Sequence, residues 1–244
     1  MLRKSIQMKK IIFTFILANL FIIKSLAQVK PPKYLEDKYS WYASLSLGNA
    51  IGKYHTVLKD AEKGGIKAGF VLGGLMNPYK RKRASTVFYG AEIGYQSDGQ
   101  DYVTLNNVYG SFYVANNSFW LNGVARYRPI LWSSKINPYA DAFFGAKLIK
   151  SNIVEQISQD QTSVFERFGR LVPNYGLGIG AGIKLSGQLK NNYLDIGVYF
   201  QQAEATKIMQ RNSVNINSAY VASYKQILTS TNQIVVKIGL TGFL

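Results

Sequence analysis

Hydrophobic and polar residues alternate with a period of two in eight separate stretches of this chain. The clearest is Asn174–Ser186, NYGLGIGAGIKLS. Tyr175, Leu177, Ile179, Ala181, Ile183 and Leu185 fall on one face, and Gly176, Gly178, Gly180, Gly182 and Lys184 on the other. A period of two marks a strand with two unlike faces. Four glycines in register would weaken an ordinary core strand. They suit a barrel strand whose inner face has little room and whose outer face carries the apolar load.

The alternation predicts strands at Ser40–Ala50, Gly65–Leu75, Val87–Ser97, Phe119–Pro129, Tyr139–Ile149, Asn174–Ser186, Tyr193–Ala203 and Gln233–Phe243. Each is close to the ~9–11 residues that a tilted strand needs to cross a bilayer. By these boundaries the connections run 14, 11, 21, 9, 24, 6 and 29 residues, every odd one longer than every even one. That is the pattern of long external loops and short periplasmic turns. The expected fold is all-β: an eight-stranded antiparallel up-and-down transmembrane β-barrel with long external loops and short periplasmic turns.

A soluble barrel with its apolar face inward also alternates. Three features favour the apolar face outward. The polar face is rich in glycine and carries mid-strand charges such as Glu92, Arg126 and Asp195. Aromatics of the apolar face (Trp41, Tyr89, Tyr95, Phe119, Tyr127, Tyr175 and Phe200) lie mainly toward strand ends, where interfacial girdles form. The loop asymmetry has no reason to exist in a soluble barrel.

The N-terminus changes the setting. Arg3, Lys4, Lys9 and Lys10 precede an apolar run, Ile11–Ile23, and Ser25-Leu26-Ala27 fits a cleavage site before Gln28. This predicts a secretory signal peptide at 1–27, a periplasmic lead at 28–39 and a barrel domain at 40–244. The run is too short for a membrane-spanning helix. No cysteine is present, so disulfides and thiolate metal sites are excluded. Of the 29 basic residues five lie in the leader, leaving 24 against 13 acidic ones. Such a surplus can indicate nucleic acid, but basic residues scattered through the strands of an exported chain argue against it.

With a leader, eight such strands and the closing strand IVVKIGLTGFL, the chain resembles the small outer-membrane β-barrel proteins of the Bacteroidetes type, the PorT-like group. More broadly it is similar to OmpA- and OmpX-like eight-stranded barrels. The resemblance implies an outer-membrane setting in a Gram-negative bacterium, surrounding outer-membrane lipid, and assembly by the barrel-insertion machinery. That machinery reads a terminal aromatic residue; here Phe243 is penultimate and Leu244 last. Some PorT-like proteins are implicated in secretion and gliding.

Three constellations could carry function. The first is a lumen ion-pair network of Lys67, Glu92, Arg126, Arg128, Asp141, Lys147, Lys184, Asp195 and Lys237. An eight-stranded barrel is just wide enough for side chains to fill, so these charges must pair or be hydrated. They form either a plug or a charged path for small solutes or ions. The second is Lys80-Arg81-Lys82-Arg83 in the first periplasmic turn, a basic rim that snorkels to headgroups or docks an acidic periplasmic or envelope protein. The third is His55, the only histidine, in the first external loop. A lipid- or peptide-processing enzyme would need it beside a group such as Asp60, Ser97 or Asp98. One histidine excludes a histidine-based zinc cluster, and no cofactor is expected. GLGIGAG lacks the following helix of a nucleotide fingerprint. The polar loops Lys150–Pro173 and Glu204–Asn232 remain as candidate binding surfaces. Together these features point to a non-enzymatic binding or assembly scaffold, linked to an envelope or secretion complex.

Overall fold

The computed structural model describes residues 39–59, 67–79, 85–103, 111–129, 135–156, 162–185, 192–210, 213–217, 219 and 221–243. The expected leader at 1–27, nearly all of the lead at 28–39, and Lys80, Arg81, Lys82 and Arg83 lie outside the described residues. Tyr39 already belongs to the first strand.

Eight strands close the barrel: β1 (Tyr39–Ala50), β2 (Ala68–Met76), β3 (Val87–Val103), β4 (Ser111–Tyr127), β5 (Ile136–Gln156), β6 (Thr162–Lys184), β7 (Asn192–Ala203) and β12 (Gln233–Phe243). Their order around the barrel is β1-β12-β7-β6-β5-β4-β3-β2, antiparallel throughout. The expected fold class is therefore the observed one. No helix among the described residues is long and apolar enough to cross a membrane.

The apolar face points outward. Leu45, Leu177 and Ile179 are 71%, 65% and 70% exposed, while their neighbours Ser46 and Gly178 face in and are buried. A continuous apolar belt of this kind has no place in water; it is a lipid-facing surface. Trp41, Tyr89, Phe119, Tyr127, Tyr175 and Phe200 stand exposed on it, with Tyr95 half-buried among them.

Three expectations about the connections are corrected. First, β3 and β4 are 17 residues long, β5 is 21 and β6 is 23. The expected long loops at 98–118 and 150–173 are largely strand, so the odd connections are not all longer than the even ones. The sequence there turns polar, as at Asn116, Asn117, Ser118, Ser151 and Asn152, although the ladder continues. Pairing is a property of the backbone, and a ladder needs no apolar belt where water or another element covers it. These strands exceed a bilayer crossing by up to about ten residues, or ~30 Å of extended chain. A bulge between Ser97 and Gly99 bends β3 at this level, with Gly99 at φ 96°.

Second, the connection after β1 forms a short helix, α1 (Lys53–Lys59), opened by Gly52 at φ 61°. Third, the segment 204–232 contains β8 (Thr206–Met209), β9 (Asn215–Ile216), β10 (Ala222–Ser223) and β11 (Gln226–Thr229). β8 pairs with β11 and β9 with β10, so the segment doubles back as one hairpin. Met209, Val214 and Ile216 of the hairpin pack with Phe112, Val114 and Ile153 of the protruding strands, flanked by Phe165, Phe168 and Tyr224. Ile208 packs with Ala50, Tyr54 and Leu58, joining α1 to the same cap. The Tyr224 hydroxyl donates to Glu166 Oε1 at 2.8 Å. That bond, helped by burial, raises the phenol's pKa.

Candidate functional site

The barrel interior holds a hydrogen-bonded set of buried charged and amide side chains. Glycines make it possible. A Cβ at Gly178 would overlap the Tyr199 ring, at Gly176 the Phe143 ring, at Gly180 the Tyr139 ring and at Gly182 the Asp195 carboxylate. The four in-register glycines of β6 are thus a trough into which side chains of β5 and β7 fold. Gly73 does the same for Tyr42, and Gly94 for Trp120.

Five of the nine expected lumen charges join one network. Arg126 forms a two-pronged pair with Asp141, Nε to Oδ1 at 2.8 Å and Nη2 to Oδ2 at 2.9 Å. Its Nη1 lies 3.8 Å from Asp195 Oδ2. Asp141 also accepts from the Tyr199 hydroxyl at 2.9 Å, and Asp195 from Thr241. The Arg126 guanidinium sits 4.0 Å from the centre of the Tyr139 ring. Lys237 Nζ pairs with Glu92 Oε2 at 2.9 Å and stands 4.2 Å from the Tyr199 ring centre. Glu92 accepts two more bonds, from Tyr42 and Asn122, each at 3.0 Å. Both pairs are bidentate or multiply bonded, the condition under which buried charge is tolerated.

The other four expected members lie outside these two pairs, although Arg128 lines one recess with Arg126 and Asp195. Lys67 is half-buried one residue before β2, and Lys184 ends β6 exposed to solvent. Both are on the inward register but at opposite ends of the barrel, where strands give way to connections. Arg128 lies just past β4, its guanidinium 4.7 Å from the Tyr193 ring centre. Lys147 is completely buried, and its Nζ makes no hydrogen bond among the described residues. Asp98 is the carboxylate whose field reaches it.

A second set was not singled out from the sequence. Gln96 donates to Gln233 at 3.0 Å, Gln233 to Gln201, Gln201 to Asn174 at 3.0 Å, Asn174 to Asn122 at 2.9 Å, and Asn122 to Glu92. This chain of amides circles the lumen from β3 back to β3, each donating to the next toward the Glu92 carboxylate, with Gln233 also donating back to Gln96 at 3.5 Å. Bonds so aligned polarise one another. All five amides sit at inward register positions, so the signal was the same alternation; a search for charges alone passes over them.

The interior is filled. Tyr42, Val71, Leu75, Phe88, Trp120, Val124, Phe143 and Val235 pack around the polar network. A recess between Arg126, Arg128, Tyr193 and Asp195 has a volume of about 10 Å³, room for about one water. His55 is exposed on α1, Ser97 is on the outward register of β3, and Asp98 is buried inside. These candidate catalytic groups therefore point different ways; Asp60 lies outside the described residues. Among the described residues no cluster of three or more acidic or histidine ligands is assembled.

No family model matches the chain, and no curated protein matches it. Solved structures do resemble it. Ail, the attachment invasion locus protein of Yersinia pestis, is 10% identical with a TM-score of 0.38, over 85% of this chain and 97% of that one. A major outer membrane protein from Thermus thermophilus is 9% identical with a TM-score of 0.49, over 84% and 99%. The N-terminal β-barrel domain of Pseudomonas aeruginosa OprF is 11% identical with a TM-score of 0.35, over 85% and 98%. The fold and its lipid-facing belt define a membrane β-barrel protein.

Proposed function

We propose that the chain is an outer-membrane barrel, exported by a cleaved leader, that serves as a non-enzymatic binding or assembly scaffold. The observation that carries this reading is the folded platform at the loop end. Four protruding strands pack with the hairpin β8–β11 in one apolar cluster, and α1 packs on Ile208 of the same hairpin in a second. Ordering such a hairpin costs conformational entropy, and a rigid scaffold presenting loops is the usual setting for recognition. The filled interior supports an anchor over a conduit for small solutes or ions, and the scattered placement of His55, Ser97 and Asp98 favours a non-enzymatic role. The PorT-type kinship, with its link to envelope or secretion complexes, stays a resemblance on the closing strand and strand pattern.

The scaffold has two faces. One is the basic run Lys80, Arg81, Lys82 and Arg83, between β2 and β3 in sequence, which can draw an acidic partner by long-range, salt-sensitive attraction. Replacing all four by Gln is expected to leave the barrel folded and to weaken co-purification of that partner, most at low salt. If the quadruple variant keeps every partner while His55→Ala loses a lipid- or peptide-processing activity, the scaffold reading fails and an enzyme replaces it.

A further inference from the structure

The outward face of β2–β6 carries horizontal rows set by strand register. One row is Phe70, Tyr95, Phe119, Leu148 and Leu171, each paired with the next. Phe70 and Tyr95 rings are 5.8 Å apart, Tyr95 and Phe119 rings 4.8 Å. The row nearer the termini contains Ile93, Leu121 and Ala146. Between the rows runs an apolar groove of about 540 Å³, lined in part by Ala146, whose small side chain leaves room between Leu121 and Leu148.

Directly above the aromatic row the composition changes. The next row is Ser97, Asn117, Lys150 and Gly169, and the one beyond it holds Ala115, Asn152 and Arg167. The Tyr95 hydroxyl donates up to Asn117 Oδ1 at 2.9 Å, and Lys150 Nζ lies 5.4 Å from the Phe119 ring centre. Gly169 leaves space between the two cations: a Cβ there would meet nothing closer than 3.8 Å. Among the described residues neither Lys150 nor Arg167 has an ion-pair partner, and these rows hold no carboxylate.

An aromatic row marks the edge of the hydrocarbon, and cations one and two rows beyond stand at headgroup depth. We propose that this face is a selective site for one anionic phospholipid or glycolipid of the loop-side leaflet. Its phosphate sits between Lys150 and Arg167 beside Gly169, and an acyl chain lies in the groove below. The occupant follows from charge and shape: two unpaired cations need an anion, and an apolar groove opening directly beneath them needs a chain covalently attached to that anion. The inference rests on the membrane placement of the barrel and not on the scaffold role.

The test is native mass spectrometry of the folded full barrel in detergent with added palmitoyl-oleoyl phosphatidylglycerol or phosphatidylcholine. The wild type is expected to retain one phosphatidylglycerol with a preference of roughly tenfold or more over phosphatidylcholine, two surface cations supplying it. Lys150→Gln/Arg167→Gln should erase the preference, and Ala146→Phe should reduce retention of both lipids. Lys207→Gln/Lys225→Gln, on the hairpin, should change nothing. Heat-modifiable migration on gels checks that each variant is folded. Equal retention of both lipids by the wild type, or a preference surviving Lys150→Gln/Arg167→Gln, overturns the proposal. So does inorganic phosphate binding as tightly as the lipid, or a dimer peak that lipid does not displace, which would give the groove to a second copy.

Discussion

At the residue scale the barrel depends on where volume and charge are placed. Gly178 and Ile179 are neighbours with opposite tasks. Ile179 is 70% exposed to lipid, so Ile179→Arg should cost about 2–4 kcal/mol near the midplane, read as a lowered urea midpoint for folding into vesicles. Gly178→Val should fail for another reason, because the new side chain meets the Tyr199 ring. Overpacking of this kind costs about 1–3 kcal/mol, and Gly178→Val/Tyr199→Ala should recover part of the loss. The Arg126–Asp141 pair gives a sharper test. Asp141→Ala leaves a buried guanidinium without its main partner and should destabilise by about 3–5 kcal/mol, whereas Arg126→Met/Asp141→Leu should lose much less. Equal losses in single and double variants, measured by urea titration in vesicles, would mean that the pair is solvated after all.

At the element scale the hairpin β8–β11 is the informative unit. It has only short ladders of its own, and an isolated hairpin is marginal in water. Its order therefore comes from Met209, Val214 and Ile216 packed on Phe112, Val114 and Ile153. Ile216→Asp is expected to release the hairpin and leave the barrel closed. Limited proteolysis should then cut within 204–232, while the unboiled protein keeps its compact gel mobility. Loss of that mobility would show that the cap and the barrel fold as one unit.

At the scale of the whole molecule, a filled interior under a folded cap predicts no stable open channel in planar bilayers. A steady ohmic conductance removed by Arg126→Ala or Glu92→Ala would make the interior a path. How far the molecule was legible in its sequence follows from what each level needs. The eight strands, their number, their antiparallel closure and the outward apolar face were written in the period-two pattern, because burial against lipid acts on every second residue. The inward charges were legible for the same reason, Glu92, Arg126, Asp141, Asp195 and Lys237 all lying on one register. Their partners were not. Which oxygen meets Arg126 depends on β4 pairing with β5 at Arg126↔Asp141, and the amide circle needs five strands brought to one level. The ends of β3–β6 were missed because a polar strand above the membrane reads like a loop until something covers it. The hairpin that covers it is tens of residues distant in sequence, and only the closed barrel brings the two together. Local alternation thus determined the strands and their faces; partner choice, strand length beyond the bilayer and the cap were decided by tertiary structure, since each rests on contacts between segments that no local pattern encodes.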